Sequence, residues 1–326
     1  VLVAGGALGA AGHHLERAYG IRPPQTTETA TGWHIAGLHG QPFSGLALHG
    51  TRLLWHNGPS IEYFDLESGK LRLLGPGPGM RATWAPAVGR RYAVWFEAER
   101  SNSLAARAVA YDVERGRRWT LAEIGAVYSL PAVSEGDAVW CSATELTVPR
   151  IAGAHIADGT ALKIAGEYGI PAIADGLVVW ARGAGGPFAA HEMSSGRTWP
   201  VVVQGLVGRM TRFALAGRTL VWGQLDSGGS GAVLSAGVDG GETRQLAAGV
   251  IGLAGPAFDG TTVVWAERDD GTGGSRVMGR RLDGGDAFLI ATAAGEVAEV
   301  TVSGGVAAWI AGDGVTSWID TAGVPR

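Results

Sequence analysis

Apolar residues fall in short runs along this chain, broken at regular intervals by Gly, Asp and other polar positions. Seven runs end in tryptophan: Leu53-Leu54-Trp55, Ala93-Val94-Trp95, Ala138-Val139-Trp140, Val178-Val179-Trp180, Leu220-Val221-Trp222, Val263-Val264-Trp265 and Ala307-Ala308-Trp309. The gaps between these tryptophans are 40, 45, 40, 42, 43 and 44 residues. A fixed period of this size marks a repeat architecture, in which each repeat buries its apolar surface against its neighbours.

Each repeat carries further markers. Nine residues before the Trp stands Pro86, Pro131, Pro171 or Pro256, and the same offset gives Leu46, Phe213 and Val300. Between this marker and the Trp lies a turn, such as Gly136-Asp137, Asp175-Gly176 or Asp259-Gly260. Two short apolar runs around such a turn predict a β-hairpin. After the Trp comes a third run that closes in an acidic turn, as in Asp65-Leu66-Glu67-Ser68-Gly69 and Asp112-Val113-Glu114-Arg115-Gly116. Asp can bond its own backbone there and Gly accepts positive φ. A fourth run follows, as in Leu71–Leu74, Ala161–Ile164 and Thr243–Leu246. Four strands per repeat of this length predict β-propeller blades, hence an all-β, seven-bladed ring of four-stranded antiparallel sheets.

These markers resemble the TolB-like, WD40-like propeller repeats of bacterial envelope proteins. The stretch Val238-Asp239-Gly240-Gly241-Glu242-Thr243-Arg244-Gln245-Leu246 carries the resemblance best, and it extends by pattern over residues 31–326. The commonest form of that family has Phe or Tyr after the second strand, where this chain has Trp. The resemblance implies a fold, because such propellers serve many functions.

The seventh repeat lacks a fourth run after Thr316-Ser317-Trp318-Ile319-Asp320, while a spare run, Thr31-Gly32-Trp33-His34-Ile35-Ala36, precedes the first repeat. The spare run is expected to complete blade seven, a 3+1 closure that hides an open sheet edge. An arm from another subunit would fill the same edge in a domain swap. The domain organisation read from the chain is an apolar arm or anchor remnant over 1–20, a linker over 21–30 and the propeller over 31–326. Residues 23–29, Pro-Pro-Gln-Thr-Thr-Glu-Thr, read as extended linker.

Composition adds little to the fold and more to the partners. The 54 glycines fit many tight turns, and the formal net charge of −4 argues against nucleic acid. Residues 1–12 are apolar, small and uncharged, and as a helix they are too short to span a bilayer. They read as the end of a signal or membrane anchor, as part of a helix, or as a docking arm. Membrane contact is expected only in the anchor case. As a docking arm, Val1, Leu2, Val3 and Leu8 would carry association with a protein partner or a second copy through residues 1–20.

In a propeller the loops entering the first strand and leaving the second share one face and rim the central channel. The residues two after each Trp are Asn57, Glu97, Ser142, Arg182, Gln224, Glu267 and Ala311. The entering loops contribute Trp84, Tyr128, Tyr168 and Arg212, with Arg81, Glu167, Arg209, Glu296 and Glu299 nearby. Of these, Asn57, Glu97, Arg182, Gln224, Glu267, Trp84, Tyr128, Tyr168 and Arg212 are the candidate binding residues, opposed by the plain reading that strand ends simply meet water.

No catalytic constellation stands out. Six of the eight histidines lie before residue 57, without ligand spacing, so no metal is expected. Asp269-Asp270-Gly271-Thr272-Gly273-Gly274 lacks a full calcium ligand set and reads as a hairpin tip. Cys141 stands alone and reads as a small core residue. Nothing calls for a cofactor. The sequence therefore points to a non-enzymatic, extracytoplasmic protein-binding or assembly module. Its rivals are a homopolymeric filament or surface-layer subunit joined by the arm, and a glycan-active hydrolase or lyase using the axial rim. Particle mass separates the first rival. Carboxylates or histidines converging in an axial pocket would favour the second.

Overall fold

The tryptophan-bearing run forms the second strand of every blade. The computed structural model describes residues 24–37, 43–83, 85–99, 106–143, 148–164, 167–182, 187–205 and 208–325. Seven antiparallel sheets follow one another in a ring, with no helix among the described residues. Blade 4 shows the plan: Ile170–Ala174, Leu177–Ala181, Phe188–Glu192 and Arg197–Val201 pair in sequence order. First strands lie innermost. Their starting ends and the far ends of the second strands define an upper face, and the hairpin and acidic turns define a lower one.

Successive residues of a strand point to opposite faces. A second strand between two neighbouring blades is therefore buried on both, which is why its run is continuously apolar. Trp95 joins Leu54, Ile61 and Leu74 of blade 1, whereas Val94 and Phe96 join Ala138 and Trp140 of blade 3. Seven apolar clusters result, one per junction, and each contains one of the seven tryptophans. All seven are at most 3% exposed.

A second set of tryptophans latches the outer strands. Trp33, Trp119 and Trp199 donate their indole N–H to the carbonyls of Leu66, Ile156 and Val238, at 2.9, 3.2 and 3.0 Å. Each acceptor opens the acidic turn of the next blade. In blade 5 Arg244 takes the donor role, to Leu282 O at 2.7 Å. The acidic turns hold themselves: Asp65 Oδ1 accepts the N–H of Glu67 and Ser68, and Asp112 Oδ1 those of Glu114 and Arg115.

The ring closes with both ends of the chain. β1 (Gln25–Glu28) and β2 (Trp33–Ala36) form a hairpin, and β2 pairs with Ser317–Gly323 of blade 7, Ile35 opposite Ile319. The 3+1 closure is present, but β2 is not the outermost strand. Gln25–Glu28, expected in an extended linker, adds a fifth strand to that blade. Its hydrogen bonds go to β2 while its side chains stay largely in water, so Gln-Thr-Thr-Glu shows no apolar alternation. Blade 3 also departs from expectation. Its fourth run, Ala161–Ile164, makes only the isolated bridge Ala154–Ala161, although Leu162 and Ile164 still pack on the blade 3/4 core.

The seam between blades 7 and 1 holds a buried acid. Glu62 sits opposite Trp55 in the ladder and is 1% exposed. Asn57 Nδ2 donates to its Oε1 at 3.1 Å, while Oε2 has no partner. Burial pushes its carboxyl up to about 7, against the opposing hydrogen bond from Asn57.

Two outcomes follow from this core. Trp180→Ala should cost ~3–5 kcal/mol in chemical denaturation, the range for truncating a buried large aromatic; a loss under about 1 kcal/mol would remove the junction role. The second concerns pH. The folded Glu62 keeps its proton well above the usual carboxylate range, so its contribution is complete below about pH 4.5 and is lost as pH rises through about 7. Thermal melts should show stability falling over that interval by on the order of 3 kcal/mol, because the unfolded carboxyl ionises first and each further pH step of one costs about 1.4 kcal/mol. Glu62→Gln should remove this component, and an unchanged pH profile in that variant would place the dependence elsewhere.

Candidate functional site

On the upper face, the starting ends of the first strands of blades 3 to 7 surround a cavity of about 810 Å³. Leu130, Pro131, Ile170, Pro171, Met210 and Leu253 supply apolar wall. Tyr128, Arg212, Glu296 and Glu299 supply the polar groups. The size and the mixture suit a small-molecule or peptide pocket.

Bulges aim these side chains. The ladder between first and second strand slips between Ser44 and Ala47, Met210 and Phe213, Ala254 and Ala257, and Val297 and Glu299. A bulge turns the strand and redirects a side chain. Arg212 of blade 5 thereby reaches Glu299 of blade 7 at 3.5 Å. Glu299 Oε1 and Oε2 accept the backbone N–H groups of Gly45 and Leu46 of blade 1, at 2.8 and 2.9 Å. One carboxylate thus ties three blades together beside the axis. Such charge-assisted bonds are stronger than neutral ones.

Tyr128 and Tyr168 form an edge-to-face pair, with centroids 6.2 Å apart, and both are exposed. Arg182 pairs with Glu167 at 3.1 Å beside them. Gln224 Nε2 donates to Gly205 O at 3.2 Å. The structure therefore places Tyr128, Tyr168, Arg182, Gln224 and Arg212 on the upper face. Trp84, Val1, Leu2, Val3 and Leu8 lie outside the described residues.

Asn57, Glu97 and Glu267 are corrected. They stand two residues after a tryptophan, so they share its face and point between blades rather than at the axis. Trp95 Nε1 donates to Glu97 Oε1 at 2.8 Å, Trp140 Nε1 to Ser142 Oγ at 3.2 Å and Trp265 Nε1 to Glu267 Oε2 at 3.4 Å. A buried indole N–H needs an acceptor, and this position supplies one. Glu97 is wholly buried, and Arg118 and Arg107 approach it at 2.6 and 3.1 Å. Glu267 pairs with Arg276 at 2.6 Å. Asn57 serves Glu62, as described above. Where the position is Asn57, Arg182, Gln224 or Ala311, the indoles of Trp55, Trp180, Trp222 and Trp309 have no hydrogen-bond partner.

Among the described residues no group of three His, Cys, Asp or Glu converges on a metal position. Cys141 is buried, and burial pushes its thiol up. Asp269 accepts from Gly271 N at 3.1 Å and Thr272 Oγ1 at 2.9 Å, which makes its loop a self-bonded turn.

The signal that residue-by-residue reading missed is collective. Among the described residues, the exposed large apolar side chains are Tyr128, Val148, Tyr168, Ile170, Val202, Ile251, Leu289 and Val315. All but Leu289 belong to segments that enter a first strand, leave a fourth strand or join the second and third strands. They therefore share the upper face with the cavity. The lower face carries charged turns such as Arg90-Arg91, Glu114-Arg115 and Arg218–Asp239.

No protein-family model and no curated protein matches the sequence. Among solved structures, the chain is similar to an oligogalacturonate lyase in complex with manganese, at 14% identity and a TM-score of 0.63, over 93% of this chain and 97% of that one. It is similar to the β-propeller domain of the trilobed protease from Pyrococcus furiosus at 8% identity and a TM-score of 0.64, over 86% and 94% of the two chains. TolB from Acinetobacter baumannii aligns at 12% identity with a TM-score of 0.48, over 81% and 80% of the two chains. The first two likenesses show the fold, a seven-bladed β-propeller, and leave the activity to the residues of the site.

Proposed function

We propose that this protein is a non-enzymatic binding or assembly module outside the cytoplasm, with the upper face as its docking surface and residues 1–20 as a docking arm. The grouping of exposed Tyr128, Tyr168, Ile170, Val202 and Ile251 on the face that holds the cavity, with Tyr128 and Ile170 in its lining, carries this reading. Apolar side chains grouped on one face mark interaction sites, whereas scattered ones need no explanation. The aromatic pair and the ion pairs beside it give such a face its polar rim. β1 begins at the upper end of blade 7, because Gln25 pairs with Ala36, so the described part of the chain enters the propeller on this same face. The resemblance to TolB-like repeats supports the extracytoplasmic setting.

A glycan-active enzyme is the second reading, favoured by the axial cavity with Glu296, Glu299, Arg212 and Tyr128 and by the fold likeness to a lyase. Against it, both oxygens of Glu299 are engaged by backbone N–H groups and Arg212, so it is not free as a base. The described residues also form no ligand set that would fit manganese.

Light scattering tests the assembly form of the first reading. The intact chain should give a particle heavier than its 33.5 kDa, and deletion of residues 1–20 or the double substitution Tyr168→Ser with Ile170→Ser should return it to the monomer. The folded ring should persist by circular dichroism. Equal particle mass for all three proteins across concentration would sink the assembly reading.

A further inference from the structure

At the junction of blades 4 and 5, the Trp199 ring lies beneath two guanidiniums, Arg197 at 5.2 Å and Arg218 at 5.7 Å. Arg218 closes this junction. Its Nε donates to Asp239 at 2.7 Å and its Nη1 to Glu192 of the preceding blade at 3.2 Å. The junction of blades 2 and 3 is built on the same frame. Trp119 donates to Ile156 O as Trp199 does to Val238 O, and Arg117 lies over Trp119 at 5.9 Å. Asp112 occupies the ladder position of Glu192.

Two residues are exchanged. Arg218 stands four before Trp222, and the residue four before Trp140 is Gly136. Asp239 follows the indole-accepting Val238, and the residue that follows Ile156 is Ala157. The arginine–aspartate pair that fills one junction is therefore missing from the other. A cavity of about 360 Å³ lies there, lined by Tyr92, Arg115, Arg117, Trp119 and Asp158 among others.

The charges around this cavity are unbalanced. Asp112 is already saturated: Arg91 Nε and Nη2 bond its Oδ2 at 2.9 and 2.7 Å, and two backbone N–H groups bond its Oδ1. Arg115 reaches it only at 4.0 Å. Arg117 is exposed and has no carboxylate partner among the described residues. Asp158, the other acid in the lining, accepts from Thr160 N at 2.9 Å. Two guanidiniums with open donors thus face a cavity floored by Trp119 and Tyr92, whose centroids are 6.0 Å apart.

We infer that this cavity binds an organic phosphate or sulfate monoester. The oxyanion takes the place that Asp239 fills in the sister junction and accepts from Arg115 and Arg117, the geometry for which guanidinium is suited. A bare anion would leave most of the cavity empty, so the organic body lies along Trp119 and Tyr92. This site is on the lower face and is independent of the upper-face reading.

Calorimetry on the full chain at constant ionic strength tests the assignment, with phenyl phosphate, phenyl sulfate, inorganic phosphate and phenol as probes. One of the two esters should bind saturably and at least about tenfold tighter than inorganic phosphate or phenol, and the tighter ester names the oxyanion. Arg115→Ala with Arg117→Ala should weaken it about tenfold or more. Both side chains are exposed, so the fold should survive, as circular dichroism would show. A second variant, Gly136→Arg with Ala157→Asp, keeps both arginines and rebuilds the missing pair. A Cβ at Gly136 meets nothing within 4 Å, so a side chain can start from this position. This variant should lose ester binding, whereas Arg197→Ala in the closed junction should leave it unchanged. Binding of neither ester, or binding that survives both double variants in folded protein, overturns the proposal.

Discussion

Everything in this molecule depends on filling the wedge between one blade and the next. Twisted sheets arranged radially diverge outward, and the gap must be filled at close to crystal density. The chain solves this once per repeat, with a tryptophan on the second strand pointing at the preceding blade. Burial then creates a polar requirement, because each indole brings an N–H into a dry junction. Glu97, Ser142 and Glu267 meet that need two residues later, and the buried Glu97 in turn requires Arg107 and Arg118. Packing thus propagates into an ion network that looks functional in the sequence and is architectural in the structure.

The fold is legible because this requirement repeats. Seven tryptophans, the hairpin turns and the acidic turns each recur at fixed offsets, so each confirms the others. Legibility fails where burial and strand pairing part company. β1 reads as linker because Gln25–Glu28 faces mostly water. Blade 3 reads as complete because Leu162 and Ile164 are apolar and do pack, yet they form no ladder. Apolar pattern reports burial, and hydrogen bonding need not follow from it.

The axial site is half legible for a related reason. Of the rim positions counted from the tryptophan, Asn57, Glu97 and Glu267 turn to the interblade face, where the alternation of side chains puts them beside the indole. Tyr128, Tyr168 and Arg212, which belong to the entering loops, do stand on the upper face. Arg212 and Glu299 meet across the cavity only because bulges displace the first strands, and a one-residue slip leaves no mark in composition. The grouping of exposed apolar residues on one face is hidden too, since those residues are spread over several blades and gather only when the ring closes.

A ring of near-equivalent blades offers its own controls. Where seven positions share a geometric task, the physical reason for each residue can be read by comparing sister positions within one chain. The outer latch shows how strict such a task is: Trp33, Trp119 and Trp199 perform it with an indole, and Arg244 with a guanidinium, because the acceptor carbonyl needs only a donor at that place. Substitution is tolerated as long as the bond is kept. The blade 2/3 junction differs in kind. There the frame, the latch and the stacked arginine remain, while the arginine–aspartate pair that closes the sister junction is replaced by Gly136 and Ala157. Packing alone would favour filling that space, since an empty volume forfeits contacts on every side. A volume left open beside arginines with spare donors is a junction feature that the architecture does not require, and it is there that a ligand supplies the missing physical reason.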